Sequence, residues 1–350
     1  MAHIEAVDLF CGAGGLTAGL QAAGVRVTAG IDVDPACRYP FEANHPGARF
    51  VERDVSQVTG GELQACWSPG VVRLLAGCAP CQPFSSYARG RPADHTKWGM
   101  LYQFSRLVRE SQPDLVTMEN VLGLEAQEPF ADFVHTLREC GFEVCHAVLN
   151  AADYGVPQRR RRLVLLASRL GPVSLPQPTH PGRGHWVSVK DAIGELPVLA
   201  HGQSCPEDPL HRAAMLSPLN LARIQASKPG GTWRDWPTYL VADCHVRESG
   251  RRSTGVYGRM SWDDPSPTMT TLCTGYGNGR FGHPAQDRGI TLREAAIFQS
   301  FPRDYRFVPP GVDVPNKTVS RLIGNAVPPK LAEAVGRQLL EAASHSRAGQ

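Results

Sequence analysis

A cysteine and a glutamate each follow one of two successive apolar segments that are predicted to be strands. Cys81 comes shortly after the segment at 72–75, and Glu119 directly follows the segment at 115–118. Open α/β sheets place their reactive groups at the carboxyl ends of parallel strands, so these two side chains are predicted to lie close together. A thiolate beside a proton-donating carboxylic acid can add to an electron-poor ring and protonate it in the same step. Cytosine is one such ring.

The composition is that of an ordinary globular chain. Its 350 residues are 42% hydrophobic and 20% charged, which allows one large domain or two modest ones with an ample core. The sequence has no apolar run of membrane-spanning length and no signal pattern at its N-terminus. The ten cysteines lack the regular spacing of a disulfide framework. We therefore expect a cytoplasmic protein with no membrane partner, and the net charge of +3 does not by itself predict a nucleic-acid partner.

The first half of the chain alternates between strand and helix patterns. Predicted strands cover 4–10, 25–33, 49–51, 72–75, 115–118, 144–149 and 163–167, and predicted helices cover 16–23, 35–43, 101–110 and 130–140. This alternation predicts an α/β fold with a doubly wound, mostly parallel sheet. The region 171–288 is rich in glycine, proline, tryptophan and arginine, which predicts a second, smaller, irregular domain. Helical patterns resume at 291–298, where Thr291 and Glu294 form a weak capping box, and at 330–342.

A glycine-rich turn at 8–16 joins the first predicted strand to the first predicted helix. Its glycines allow the backbone to pass close to a ligand at the helix N-terminus. Asp32 ends the second predicted strand, where an acid can bind ribose hydroxyls, and Asp54 follows the third. The chain has no complete Gly-x-Gly-x-x-Gly and no phosphate-loop lysine, so the ligand is predicted to be a nucleoside without bridging phosphates, such as S-adenosylmethionine. The alternative is that the glycines only turn the chain and the aspartates cap helices.

Six short motifs occur in one order along the chain. They are the glycine-rich turn, Pro80-Cys81-Gln82, Glu119-Asn120-Val121, Gln158-Arg159-Arg160-Arg161-Arg162, Arg293-Glu294 with Gln299-Ser300-Phe301-Pro302, and Gly324-Asn325-Ala326-Val327-Pro328. In this order and spacing they resemble the bacterial DNA (cytosine-5) methyltransferases over nearly the whole chain. The resemblance implies a Rossmann-like methyltransferase domain, formed by 1–170 and 289–350, and a DNA-recognition domain at 171–288. It also implies S-adenosylmethionine as methyl donor and double-stranded DNA as substrate.

The resemblance assigns catalytic roles to residues of these motifs. The Cys81 thiolate would attack C6 of a cytosine swung out of the duplex, and Glu119 would hydrogen-bond the N3 and amino edge of the base. Arg162 would hold the cytosine O2, with Arg160 supporting the pocket. Asn120 would order the loop that carries Cys81.

The resemblance also assigns binding residues. Predicted cofactor contacts are Asp8, Phe10, Gly12, Gly14, Gly15, Leu16, Asp32, Val33, Asp54, Val55, Pro80, Asn325 and Ala326. Predicted DNA contacts are Ser85, Arg89, Arg91 and Lys97 in a loop that closes over the base, Thr268 or Thr271 beside the flipped nucleotide, and Arg259 and Arg280 in the recognition domain. One departure from the family pattern is Leu322, where the family usually carries glutamine.

Other interpretations stay open at this point. Cys78 and Cys81 could form a redox pair or half of a zinc site, although the other ligands of such a site are missing and Cys78 is predicted to be a small core residue. The substrate could be tRNA, or the chain could be a catalytically silent DNA-binding protein. A companion restriction endonuclease fits a modification enzyme, and the sequence does not imply an oligomer. No metal site is predicted.

Overall fold

The computed structural model describes residues 3–80, 99–251 and 254–348. The chain forms two compact units. The first comprises Met1–Tyr154, Arg161–Thr179 and Ala326–Gln350, and the second comprises Gly155–Arg160 and His180–Asn325. Ser85, Arg89, Arg91, Lys97 and the predicted nucleophile Cys81 lie outside the described residues.

Seven strands of the first unit pair into one sheet. They are β1 (Ile4–Leu9), β2 (Arg26–Asp32), β3 (Arg49–Glu52), β4 (Val72–Gly77), β5 (Leu115–Asn120), β6 (Glu143–Asn150) and β7 (Arg161–Ser168). Their spatial order is β3-β2-β1-β4-β5-β7-β6. The first five strands pair in parallel, whereas β7 lies antiparallel to both β5 and β6. The predicted mostly parallel α/β sheet is thus confirmed.

Twelve α-helices lie within the described residues. They are α1 (Gly15–Ala23), α2 (Arg38–Asn44), α3 (Gly60–Gln64), α4 (Gly99–Ser111), α5 (Glu128–Glu139), α6 (Val189–Ile193), α7 (Pro218–Gln225), α8 (Asp243–Val246), α9 (Glu248–Arg251), α10 (Leu292–Phe298), α11 (Asn316–Asn325) and α12 (Pro329–Ala348). None of the helices in these ranges is long and apolar enough to cross a membrane.

The apolar core of the first unit explains why its strands are such continuous hydrophobic runs. All six residues of β1 and all six of β5 are buried, as expected for strands covered on both faces. One cluster of buried side chains joins the sheet to α4 and α5, and its members include Val7, Leu75, Phe104, Phe133 and Leu165. This packing holds the carboxyl ends of the parallel strands at fixed positions along one edge of the sheet.

The second unit has little regular structure. Its two-stranded sheet pairs β8 (Ser204–Cys205) with β9 (Asp208–Arg212). A buried ion pair between Arg288 and Glu294 lies at the start of α10, with nitrogen and oxygen 2.7 Å apart and both side chains fully buried. Thr291 caps α10, and the predicted capping box between Thr291 and Glu294 is confirmed. A buried pair of this kind is stable because Glu294 also accepts the backbone N–H of Thr291.

Two helices differ from the sequence prediction. The helix predicted over 35–43 divides into a short 3-10 turn at Pro35–Cys37 and α2. The sequence analysis also missed α11, although its apolar residues Val319, Leu322 and Ile323 have helical spacing and are buried. The second compact unit includes α10 and α11, whereas the sequence analysis joined 289–350 to the methyltransferase domain; that functional division stays a prediction.

Helices α1 and α12 cross closely at Gly19. A Cβ atom at Gly19 would lie 2.2 Å from the Pro329 carbonyl oxygen and 2.4 Å from the Ala332 Cβ. Only a residue without a side chain fits at this crossing. Gly61, in contrast, has open space where its Cβ would be.

We predict that Gly19→Ala lowers the free energy of unfolding by about 1–3 kcal/mol, because overpacking outweighs the gain in helix propensity. The matched control, Gly61→Ala, is expected to leave stability unchanged or to raise it by up to about 1 kcal/mol. Urea unfolding monitored by circular dichroism measures both values. A Gly19→Ala protein as stable as the wild type would contradict the close crossing.

Candidate active site

The glycine-rich turn leaves β1 in an unusual backbone conformation. Phe10, Gly12 and Gly14 have φ angles of +57°, +55° and +87°, and α1 begins directly afterwards. A Cβ atom at Gly12 would have no atom within 4 Å, so the space over this glycine is open. Gly14 is the N-cap of α1 and provides no side-chain cap. The turn therefore places the N-terminus of α1 next to an open surface, an arrangement that suits a polar ligand.

Asp32 stabilises this turn from the end of β2. Its Oδ2 accepts the backbone N–H of Gly12 at 2.9 Å, and its Oδ1 accepts that of Asp34 at 2.9 Å. Burial raises the pKa of the Asp32 carboxyl. The next residue, Val33, has 64% of its surface exposed, which is high for an apolar side chain. A carboxylate and an exposed apolar side chain side by side can bind hydroxyl groups and cover one face of a flat ring.

Asp8 lies deeper, near the end of β1. Thr17 donates its hydroxyl hydrogen to Asp8 Oδ2 at 2.7 Å. The other oxygen, Oδ1, is buried and accepts no hydrogen bond from the described residues. Burial raises the pKa of Asp8 to about 7, and the nearby Asp32 carboxylate adds to this effect. A buried acceptor without a donor is energetically costly, so Asp8 is positioned for a donor from a ligand.

The other predicted cofactor residues have varied settings. Asp54 caps the 3-10 turn at Val55–Gln57 by accepting the Ser56 N–H at 2.8 Å, which lowers the pKa of Asp54. One oxygen of Asp54 therefore has the capping role that the sequence analysis gave as the alternative to cofactor binding. Val55 is buried and Pro80 is exposed. Gly15 and Leu16 are buried at the start of α1. In the second unit Asn325 is exposed at the end of α11, and Ala326 opens the last segment of the first unit.

Glu119 is a buried carboxylate at the end of β5, with 6% of its surface exposed. Its Oε2 accepts a hydrogen bond from the Cys78 thiol at 3.2 Å. The Nε of Arg162 lies 3.1 Å from Oε1 and forms an ion pair. The orientation of that contact does not meet the geometry of a hydrogen bond, so Oε1 remains without a hydrogen-bond partner among the described residues. Oε1 is thus a charged acceptor that can still receive a donor.

The sheet topology explains how these three side chains meet. β7 is antiparallel to β5, with Glu119 opposite Val164 and Asn120 opposite Leu163. Arg162 lies two residues before Val164, so it shares a face of the sheet with Glu119 and lies diagonally from it. Because β7 begins where β5 ends, the arginine reaches the edge at which parallel strands place their functional groups.

Asn120 connects this edge to the segment that carries Cys81. Its side-chain amide donates to the Ala79 carbonyl at 3.0 Å, and its Oδ1 accepts the Val121 N–H at 2.8 Å. The side chain is buried. Asn120 therefore fixes the main chain two residues before the predicted nucleophile.

The element 158–160 belongs to the second unit and connects several of its segments. The Gln158 side chain accepts the Met269 N–H at 2.7 Å and donates to the Phe298 carbonyl at 3.0 Å. Arg160 is buried and donates to the main-chain carbonyls of Met269 and Gly324, each at 2.9 Å. Arg160, which was predicted to support the pocket, thus contacts the backbones of two other segments of its own unit.

The predicted DNA contacts in the second unit divide into two groups. Thr271 is exposed, and Thr268 is half-buried with its hydroxyl donated to the Arg159 carbonyl at 2.7 Å. Arg259, in contrast, is buried and donates to carbonyls that include those of Ile224 and His283. Its guanidinium is a structural cross-link, which corrects the prediction that it contacts DNA.

Arg280 is intermediate between these groups. It is half-buried, and its Nη1 donates to three carbonyl oxygens, those of Gly230, Gly231 and Arg259. Burial lowers the pKa of its guanidinium. Some of the hydrogen bonds that the Arg280 guanidinium can donate are therefore used to connect segments within the recognition region.

Sequence analysis missed the role of Cys78. It was expected to be a small core residue, whereas it is half-buried and donates to Glu119. The pairing of Gly77 with Met118 in β4 and β5 places the next residues, Cys78 and Glu119, side by side. That pairing register could not be predicted from the sequence, although the order of the two strand ends along the chain could be.

We predict that Asp8→Asn changes how stability depends on pH. The pKa of Asp8 is raised by folding from 3.8 to about 7, so its neutral form stabilises the native protein fully below about pH 4, and this stabilisation is lost as the pH rises to about 7. Asparagine has no such dependence and can still accept the Thr17 hydroxyl. The difference in unfolding free energy, variant minus wild type, is therefore expected to rise by up to about 4 kcal/mol across this range.

Denaturant unfolding without added ligand, repeated from pH 4 to pH 7, measures this difference. Asp54→Asn serves as a control that is expected to stay nearly constant over this range, because folding lowers the pKa of Asp54 below 3.8 and its contribution is lost only as the pH falls below about 4. A constant difference between Asp8→Asn and the wild type would contradict the raised pKa.

Comparison with known proteins agrees with the motif order. Residues 4–341 match the model of the C-5 cytosine-specific DNA methylase family. The chain is 48% identical over 336 residues to the Type II methylase M.HgiDII of Herpetosiphon aurantiacus, covering 95% of this chain and 94% of that protein. It is 32% identical to the Type II methyltransferase M.XorII of Xanthomonas oryzae, covering 96% and 84% of the two chains.

Solved structures show the same fold. A prophage-encoded candidate DNA modification methyltransferase of Escherichia coli aligns with a TM-score of 0.74 and 23% identity, covering 97% of this chain and 99% of that one. The Dnmt2 methyltransferase of S. pombe aligns with a TM-score of 0.62 and 18% identity, covering 97% and 98%. At such identities the similarity establishes the architecture alone. Since the family match spans almost the whole sequence, the chain belongs to the C-5 cytosine-specific DNA methylase family and is a DNA (cytosine-5) methyltransferase.

Proposed function

We propose that this enzyme transfers a methyl group from S-adenosylmethionine to C5 of a flipped-out cytosine at a specific site in double-stranded DNA, through a covalent bond between Cys81 and C6. The observation that carries the proposal is the Glu119 carboxylate. It is buried at a strand end, paired with Arg162, and has one oxygen to which no residue in the described part of the chain donates a hydrogen bond. Such an oxygen suits the N3 and amino edge of a cytosine.

S-adenosylmethionine fits the residues at the glycine-rich turn. Within the described ranges the buried Asp8 Oδ1 has no hydrogen-bond donor, and an ammonium group of the ligand would supply one. Asp32 would bind the ribose hydroxyls, the exposed Val33 would cover the adenine, and Asp54 would accept from the adenine amino group. Bound here, the cofactor supplies an electrophilic methyl group on a sulfonium. The remaining proposed contacts are Phe10, Gly12, Gly14, Gly15, Leu16, Val55, Pro80, Asn325 and Ala326.

Cys81 and Glu119 would divide the covalent chemistry between them. The Cys81 thiolate adds to C6 of the cytosine and forms a carbon–sulfur bond, while the protonated Glu119 carboxyl group transfers its proton to N3 and so neutralises the negative charge that develops on the ring. That proton returns to Glu119 when the ring becomes aromatic again. C5 becomes nucleophilic as a result and accepts the methyl group. Loss of the C5 proton then expels the Cys81 thiolate and restores the aromatic ring.

The two arginines of the Gln-Arg element would act differently. Arg162 would hold the cytosine O2, and its Nε lies 3.1 Å from Glu119 Oε1. Arg160 would support the pocket indirectly, because its guanidinium is committed to the carbonyls of Met269 and Gly324. The first role is a contact with substrate, and the second is positioning.

Access to C6 requires the target nucleotide to leave the base stack, which costs a few kcal/mol that contacts with DNA must offset. We propose that phosphate contacts come from Arg89, Arg91 and Lys97 with Ser85, and that Thr268 or Thr271 lies beside the flipped nucleotide. Arg280 is retained as a candidate contact and Arg259 is not. The region 171–288 would supply recognition of the site.

The setting proposed for the enzyme is the bacterial cytoplasm. The relatives M.HgiDII and M.XorII are Type II methylases, and we propose that this chain likewise modifies the site of a companion restriction endonuclease. A tRNA substrate is the competing possibility. Competition between duplex DNA and tRNA for methylation by the purified enzyme distinguishes the two, and duplex DNA is expected to be preferred.

We predict that Cys81→Ser lowers turnover by at least about a thousandfold, because a serine hydroxyl is a far weaker nucleophile than a thiolate. Its unfolding curve and its affinity for S-adenosylmethionine are expected to match those of the wild type. Transfer of tritiated methyl groups to duplex DNA measures the turnover. Appreciable turnover by a pure Cys81→Ser protein would overturn the assignment of the nucleophile.

We predict that Arg162→Ala lowers turnover by about a hundredfold and DNA affinity by less than about threefold, because one base contact is lost among many phosphate contacts. The matched control is Arg161→Ala, since Arg161 is the exposed neighbour on the same strand. Circular dichroism verifies folding, because removal of Arg162 leaves the buried Glu119 without its cation. Equal losses of turnover and affinity would contradict the role in the pocket.

A further inference from the structure

Cys78 lies directly after β4, and its thiol donates to Glu119 Oε2 at 3.2 Å. The backbone N–H of Cys78 donates to the Leu9 carbonyl at 3.3 Å, which attaches the residue to the end of β1. Because β4 and β5 pair through Gly77 and Met118, Cys78 is held next to Glu119 by the sheet itself. The contact between thiol and carboxylate is therefore built on rigid backbone.

The two oxygens of Glu119 have different partners. Oε2 accepts the hydrogen bond of Cys78, and Oε1 faces Arg162 without a hydrogen bond. A donor on Oε2 prevents the carboxylate from turning about its terminal bond, so Oε1 is the oxygen kept for another donor. Glu119 is more than nine-tenths buried, so no bulk water replaces this constraint.

The chemical nature of a thiol suits this position. It is a weak, neutral donor, so it orients the carboxylate without adding a second positive charge beside it. A second cation would hold Glu119 ionised throughout the reaction and oppose transfer of a proton to the base. A small apolar residue would leave Oε2 without a partner.

We propose that Cys78 is a positioning residue for the methyl transfer, which orients the Glu119 carboxyl group so that Oε1 meets the cytosine edge. The kinetic consequence rests on the proposed function, whereas the hydrogen bond itself does not. The alternative is that Cys78 only fills space at the end of β4.

A pair of substitutions separates these two roles. Cys78→Ala removes the donor, and Cys78→Ser retains a hydroxyl donor at nearly the same size. For Cys78→Ala we expect the single-turnover rate of methyl transfer to fall about tenfold, with KM for DNA little changed. For Cys78→Ser we expect a rate within about threefold of the wild type, again with KM for DNA little changed.

Equal impairment of both variants, or none in Cys78→Ala, would overturn the proposal. A loss in Cys78→Ala that appears in thermal stability alone, with the single-turnover rate unchanged, would assign Cys78 to packing. Both variants are compared with wild-type enzyme of demonstrated activity on duplex DNA.

The hydrogen bond between Cys78 and Glu119 is also measured in protein to which no substrate has been added. The infrared difference spectrum of wild type minus Cys78→Ala isolates the S–H stretching band of Cys78. We expect a band at lower frequency than that of a free thiol, typical of a hydrogen-bonded S–H group, that moves to higher frequency in Glu119→Ala. A band at the frequency of an unbonded thiol in the otherwise wild-type protein would overturn the inference whatever the enzyme's activity. Failure of the wild type to methylate DNA would instead count against the proposed function alone.

Discussion

A carboxylate that is almost fully buried must be compensated, and the arrangement of this active site follows from that requirement at Glu119. Removing an ionised side chain from water costs several kcal/mol unless a partner of opposite charge lies close by. Arg162 supplies the charge at 3.1 Å and Cys78 supplies a hydrogen bond. Neither contact gives Oε1 a hydrogen bond, and no other residue that the structure describes donates to it, so Oε1 is the acceptor that we propose for the substrate.

The order and direction of the strands make this compensation possible. In a purely parallel sheet, the strand beside β5 would begin at the opposite edge, far from Glu119. Since β7 runs antiparallel, its first residues, including Arg162, lie where β5 ends. The same edge holds the glycine-rich turn after β1 and the Asn120 bond to Ala79. One reversed strand thus brings an arginine to the edge that also holds the glycine-rich turn and the residues directly after β4.

Much of this could be predicted from the sequence, and the reasons for the rest are physical. The strands are rich in apolar residues, so seven strands and the order in which their functional ends follow along the chain could be predicted. The same holds for the Thr291–Glu294 capping box. The pairing register of β4 and β5 depends on packing across the whole sheet, so the hydrogen bond between Cys78 and Glu119 could not be predicted from the sequence. Arg259 shows a second limit. Arginine beside glycine and aromatic residues occurs both in DNA-binding loops and in small cores, and only burial distinguishes them.

The central claim is that Glu119 and its neighbours convert cytosine to 5-methylcytosine at a defined site in DNA. The most direct measurement is base-resolution mapping of 5-methylcytosine in cells that express this chain, compared with cells that express Glu119→Ala. The account predicts one short motif that is methylated with the wild type and unmethylated with the variant. Unmodified DNA in cells that contain folded wild-type protein, or the same methylated motif with Glu119→Ala, would contradict it.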